Sequence, residues 1–243
     1  MLQQSERQYS MSIEPHNIDC VLMATVTRLD FKIFTADLAD RFMCRDDITS
    51  VRCLSLYDYN IGIVRIPAHI STIEYYECVY DGRIDQLAEK LIESPTVIKR
   101  LVISGRPFMN ISEKFCEYLN ICQLEQLDLI GVVADSANYT HDHLEKYLMI
   151  LDTCTNLKTL RLPKFGFPNY DRPLTLTRLE NLSISNTSLA YNTSEHLAKF
   201  TSLSSLTVLH LTDLGPHDLT MLMKNSSIVS LNFEGALPSM FYI

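Results

Sequence analysis

Apolar residues fall into a recurring six-residue frame along this chain, occupied at its first, fourth and sixth positions. The fullest instance is Leu157/Leu160/Leu162, within the stretch from Cys154 to Leu162. The others are Val51/Leu54/Leu56, Ile73/Tyr76/Cys78, Ile98/Leu101/Ile103, Leu124/Leu127/Leu129, Leu179/Leu182/Ile184, Leu206/Leu209/Leu211 and Ile228/Leu231/Phe233. Successive fourth positions lie 22, 25, 26, 33, 22, 27 and 22 residues apart. Side chains alternate along a strand, so the fourth and sixth positions share one side and the third, fifth and seventh share the other. Between frames the spacing turns helical. Leu144, Tyr147, Leu148 and Leu151 stand at i, i+3, i+4 and i+7, and Ile84, Leu87, Ala88, Leu91 and Ile92 form a second such face, ended by Pro95. A strand is also expected over 100–104, a helix over 112–120, a helix over 216–224 and a strand over 227–233. The predicted unit is strand, turn, helix, turn. One such unit cannot bury its own apolar face, but stacked units share a continuous core.

With this frame and a period of about 20–29 residues, the chain resembles the leucine-rich-repeat family over roughly residues 48–240. The resemblance is strong in the second half and weaker before residue 95. It implies an α/β solenoid, with a curved parallel sheet on the concave side and helices on the convex side. About eight repeats are expected over residues 47–243. From Tyr139 to Leu144, and again from Asp152 to Leu157, the chain is similar to the cysteine-containing subclass found in F-box/LRR proteins and related substrate receptors. Cys122 and Cys154 precede their frames by two and three residues. Both are expected to fill core space, since a buried Cys behaves as a small hydrophobe.

Residues 1–12 read as a flexible tail and residues 13–46 as a helical N-terminal cap over the first repeat. Pro15 suits a helix's first turn, with Ile18, Val21, Leu22, Val26 and Leu29 on its apolar face. A second helix is expected from about Thr35, with Leu38, Phe42 and Met43 inward. An alternative reading rests on Pro15, Ile18, Leu22, Leu29, Ala39 and Cys44-Arg45, whose order is similar to a degenerate F-box. That resemblance implies a substrate-receptor subunit of a cullin-type ubiquitin ligase.

The formal net charge is −8, with 13 basic and 17 acidic residues in 1–122 and 8 and 12 in 123–243. No basic stripe stands out, so nucleic acid is not an expected partner. No stretch reaches the roughly 20 apolar residues of a membrane span, and the first twelve residues are polar. The seven cysteines are scattered, without a C-x-x-C pair. They fit a reduced cytoplasmic or nuclear setting. The N-x-[ST] sites beginning at Asn110, Asn138, Asn181, Asn186, Asn192 and Asn225 follow from a composition rich in Ser, Thr and Asn.

Motifs for chemistry are missing. The seven glycines form no phosphate loop, and no G-x-S-x-G elbow is present. His141-Asp142-His143 is the one close histidine pair, without a third ligand at metal spacing. No cofactor, metal or catalytic residue is therefore expected. A cysteine nucleophile of an effector-type enzyme is kept as a second alternative.

What remains is a surface. On the concave side, Tyr57, Tyr75, Glu77, Arg100, Asp128, Arg161 and His210 are the expected contacts, Tyr and Arg being frequent interface anchors. The insertion at 164–173 offers Phe165, Phe167 and Tyr170. The chain's last residues supply no polar capping helix, so that apolar end is expected to be covered by the tail itself, by a partner, or by homo-association with a second copy. The expected function is a non-enzymatic module that binds a partner protein.

Overall fold

The computed structural model describes residues 9–14, 26–32, 35–57, 65–78, 81–94, 97–105, 113–131, 153–162, 176–185, 201–209, 220, 223–224 and 227–234. Ten strands form one open parallel sheet in strict chain order: β1 (Tyr9–Ile13), β2 (Val26–Phe31), β3 (Cys53–Tyr57), β4 (Thr72–Cys78), β5 (Arg100–Gly105), β6 (Gln126–Gly131), β7 (Thr159–Leu162), β8 (Asn181–Ser185), β9 (Ser205–Leu209) and β10 (Ser230–Glu234). The described helices are α1 (Ala36–Met43), α2 (Asp81–Glu93) and α3 (Glu113–Ile121), with a 3-10 turn over Asp46–Ser50. A parallel sheet with sequential order needs a crossover after every strand, which is consistent with an α/β solenoid.

Register shows what holds neighbouring repeats together. The fourth frame position stacks from strand to strand as Leu29, Leu54, Ile73, Leu101, Leu127, Leu160, Leu182 and Leu206, all buried. The first positions, Val51, Ile70, Ile98, Leu124, Leu157, Leu179 and Leu203, make a second buried column. Each Leu or Ile so placed contributes about 1.5–3 kcal/mol of burial. Between columns, one backbone carbonyl per repeat accepts two amides of the next. Glu125 O takes Lys158 N at 2.8 Å and Thr159 N at 3.1 Å, and Lys158 O takes Glu180 N at 2.8 Å and Asn181 N at 2.9 Å. The same pattern runs through Arg52, Ser71, Lys99, Glu180 and Ser204. Apolar stacking and this shared carbonyl fix the register together.

The helices agree with the apolar spacing. On α2, Ile84, Leu87, Ala88 and Leu91 are buried, and on α3 Phe115, Tyr118 and Leu119 are buried. The helix expected from Thr35 is α1, with Phe42 and Met43 buried and the Phe42 ring 5.8 Å from Phe31.

Three expectations need correction. The N-terminal segment is not helical throughout: β1 runs from the expected tail into the first residue of the expected cap, β2 lies within that cap, and both extend the sheet. The first expected helix, with Pro15, Ile18, Val21 and Leu22, lies outside the described residues. Val26 and Leu29 are three apart, which suits a helix face and a frame equally; Phe31 in the sixth position makes it a strand. Leu29 and Ala39, used in the F-box comparison, are fully buried in the core. The second and third corrections are shifts of three residues. Leu54 pairs with Ile73 and Leu56 with Tyr75, so that frame is Ile70/Ile73/Tyr75 rather than Ile73/Tyr76/Cys78. Leu182 pairs with Leu206 and Ile184 with Val208, so the later frame is Leu203/Leu206/Val208 rather than Leu206/Leu209/Leu211. Ser71 and Ser204, the second positions of the corrected frames, carry the doubly accepting carbonyls. Ten strands occur among the described residues, against about eight expected repeats.

The helix expected around 143–151, the histidines at 141 and 143, the insertion at 164–173 with Phe165, Phe167 and Tyr170, most of the helix expected at 216–224 and the chain's last nine residues lie outside the described residues. Among the described residues, no helix is long and apolar enough to cross a membrane.

Candidate interaction face of the sheet

The face opposite the core carries the third, fifth and seventh frame positions. Its third-position row runs Arg28, Cys53, Thr72, Arg100, Gln126, Thr159, Asn181, Ser205 and Ser230. Its fifth-position row runs Asp30, Ser55, Glu74, Val102, Asp128, Arg161, Ser183, Thr207 and Asn232. In these two rows the face has two chemically different halves, charged from β2 to β6 and small and uncharged from β8 to β10, with Arg161 on β7 between them; the seventh row ends in Leu209 on β9 and Glu234 on β10.

The charged half is internally paired. Glu74, with 5 % of its side chain exposed, stands 2.7 Å from Arg28 Nη2 and 3.9 Å from Arg100 Nη1. Tyr76 donates its hydroxyl to Glu74 Oε2 at 2.6 Å and accepts from Arg28 Nη2 at 3.3 Å. Arg28 Nε also makes an ion contact of 3.5 Å with Asp30. Farther along, Arg100 Nη2 donates to Asp128 Oδ2 at 3.4 Å and Gln126 Nε2 donates to the same oxygen at 2.7 Å. A carboxylate so deeply buried persists only where cations and donors replace its water.

This network tunes its neighbours. Burial pushes the Cys53 thiol up to about 12, the charge of Glu74 adds to that, and Arg28 and Arg100 offset only part of it. Cys53 is thus a protonated, unreactive thiol at neutral pH. Burial, then the hydrogen bond to Glu74, raises the pKa of Tyr76, so its hydroxyl stays a donor. In the row beside it, the Tyr57 and Tyr76 rings lie 5.8 Å apart, and Lys32 Nζ sits 6.0 Å from the Tyr57 ring centroid.

Of the seven residues expected as contacts, the structure brings Tyr57, Arg100, Asp128 and Arg161 onto one face. Tyr75 is a correction: it is fully buried in the sixth position of its frame. A shift of three residues is odd, and an odd shift exchanges the two faces of a strand. The side chain of Glu77 lies outside the described residues; Glu74 takes the charged place assigned to it. His210 follows the end of β9 and is also outside them; Thr207 occupies the fifth position there. Arg28, Glu74 and Tyr76 were missed, and the carboxylate between two arginines in register becomes visible only with the corrected frame. Arg161 pairs in register with Asp128 and Ser183. Among the described residues it has no hydrogen-bond or ion-pair partner.

No group of three or more potential metal ligands occurs among the described residues. No family model matches the chain, and no curated protein matches it. Among solved structures, a protein from Bacteroides fragilis determined by a structural genomics consortium is similar at 15% identity and a TM-score of 0.50. The match covers 80% of this chain and 69% of that one. It is a likeness of fold.

Proposed function

We propose that the chain is a leucine-rich-repeat protein that binds a partner protein, without catalysis, through the polar face of its sheet, the concave face in such repeats. The observation that carries the reading is Arg161: a guanidinium on that face with no partner among the described residues. Beside it runs a lane of Ser, Thr and Asn from Asn181 to Asn232. A bidentate donor next to uncharged hydrogen-bonding groups suits a protein segment that presents a carboxylate. The paired half, by contrast, has spent its charges internally, so Arg100 and Asp128 support the face more than they offer it. The reading carries with it the reduced intracellular setting that the cysteine pattern suggests.

The test is affinity capture from lysate with the wild type, Arg161→Glu, and Arg178→Glu as a control. Arg178 is exposed in the turn before β8, outside the strands, and bonds Asn156 Oδ1 at 2.9 Å. The expected result is a partner lost with Arg161→Glu and kept with Arg178→Glu. A partner retained equally by all three proteins would refute the assignment to this face.

A further inference from the structure

α3 ends at Ile121, and Cys122 follows it directly; one repeat later, Cys154 precedes β7. Both thiols donate to one acceptor, the Leu119 carbonyl, from 3.3 Å for Cys122 Sγ and 3.2 Å for Cys154 Sγ. Both are reduced. Sharing one acceptor places the two sulfurs side by side, and closing to the roughly 2.05 Å of a disulfide requires both side chains to turn away from that carbonyl.

The surroundings separate their roles. Cys154 is buried in the core, whereas Cys122 is half-buried. Cys122 lines a pocket of about 220 Å³ between α2 and α3, whose walls include Leu91, Ile92, Val97, Ile98 and Tyr118. The Tyr118 hydroxyl is buried without a hydrogen-bond partner among the described residues. It lies near enough to both sulfurs for their charges to add to the burial that raises its pKa. The neighbouring Cys154 thiol lowers the pKa of Cys122, more than burial raises it. The exposed member of the pair is thus the better nucleophile, and the buried one stands behind it. Plain core filling would require neither the shared acceptor nor the pocket.

We propose that Cys122 and Cys154 form a dithiol site that exchanges with small apolar disulfides entering this pocket and closes to an internal disulfide joining consecutive repeats. Cys122, as its thiolate, attacks one sulfur of the entering disulfide, and half of that molecule leaves as a thiolate that takes up the displaced proton. Cys154 then loses its proton and attacks Cys122 Sγ, releasing the second half as a thiol. One disulfide is reduced to two thiols, and two protein thiols become one protein disulfide.

Dithiodipyridine, an aromatic disulfide whose released thiopyridone absorbs light, is the probe. The folded full chain is treated with it, and peptides are mapped by mass spectrometry. The expected product is a linked pair of peptides bearing Cys122 and Cys154, two hydrogens lighter than the separate thiols, with two thiopyridones released per link. In Cys154→Ala the reaction should stop at a pyridyl adduct on Cys122, with one thiopyridone released there. A wild-type protein that holds a stable adduct on Cys122, or that oxidises other cysteines while this pair stays reduced, overturns the proposal. The wild-type map decides this even if the variant does not fold.

Discussion

Arg28 Nη2 and Glu74 Oε2 meet at 2.7 Å although their strands are not neighbours: β3 runs between β2 and β4. Two strand spacings are roughly 9.6 Å, a gap that a long Arg side chain spans only if nothing bulky rises between. At that level β3 presents Cys53 and Ser55. Both are small, and Ser55 is fully buried beneath the polar layer. The size of two β3 residues thus permits an ion pair between two other strands. Glu74→Ala leaves Arg28 and Arg100 without their shared counter-charge and Tyr76 without its acceptor. It should cost about 3 kcal/mol of stability in urea denaturation, whereas Glu74→Gln, which keeps an acceptor for Tyr76, should cost less. Equal losses would mean that the hydrogen bond contributes nothing.

Ser55 supplies a second check on the same place. Its hydroxyl is buried with no hydrogen-bond partner among the described residues. A buried donor left unmade costs free energy that an alanine does not. Ser55→Ala should therefore leave stability unchanged or raise it by up to about 1 kcal/mol. Ser55→Leu should reduce stability by obstructing the bridge. A clear loss in the alanine variant would show that the hydroxyl has a partner after all.

The frame correction can be tested directly at Tyr75 and Tyr57. Tyr75 is fully buried in the sixth position, while Tyr57 is half-buried in the seventh. Tyr75→Ala should cost about 3–5 kcal/mol, in the range of large aromatic truncations in a core. Tyr57→Ala should cost clearly less. The reverse ranking in denaturation experiments would restore the frame expected from the sequence.

Much of this sheet was legible beforehand because each repeat carries its own first, fourth and sixth apolar positions. Leu157/Leu160/Leu162 admits no other alignment. The failures have one physical origin. Where apolar residues continue at three-residue steps, as from Ile70 through Ile73 to Tyr76, or from Leu203 through Leu206 to Leu209, two frames fit equally well. Local pattern cannot choose between them, and only pairing with the neighbouring strand does. Val26 and Leu29 show the same ambiguity between helix and strand. The charged network was illegible for a further reason: Arg28, Glu74 and Arg100 are far apart in sequence, and register alone brings them together.

Thiol reactivity should follow the environments the fold creates. Cys44 is exposed and Cys53 is held as a thiol well above neutral pH by burial and Glu74. At pH 7.5, labelling with an alkylating reagent followed by peptide mapping should modify Cys44 readily and Cys53 slowly. Glu74→Gln should speed the labelling of Cys53, because one cause of its raised pKa is gone. Comparable labelling of both cysteines in the wild type would show that Cys53 is not shielded.

His69 gives the fold a pH dependence of definite sign. Burial lowers its pKa from the ordinary 6.5, and the nearby charge of Arg52 lowers it further, against a backbone hydrogen bond with Ile48 that raises it. The folded state therefore resists taking up a proton that the unfolded chain accepts near its ordinary value. The contribution to stability is fully present above pH 6.5 and is lost progressively as pH falls from there toward the lowered folded-state pKa. Other groups titrate in the same range, since the chain has seven histidines, so the comparison needs a variant. His69→Gln should lose less stability than the wild type between pH 7.5 and 5.5 in parallel urea titrations. If the two proteins lose the same amount, His69 takes up its proton equally in both states and the local desolvation is too small to matter.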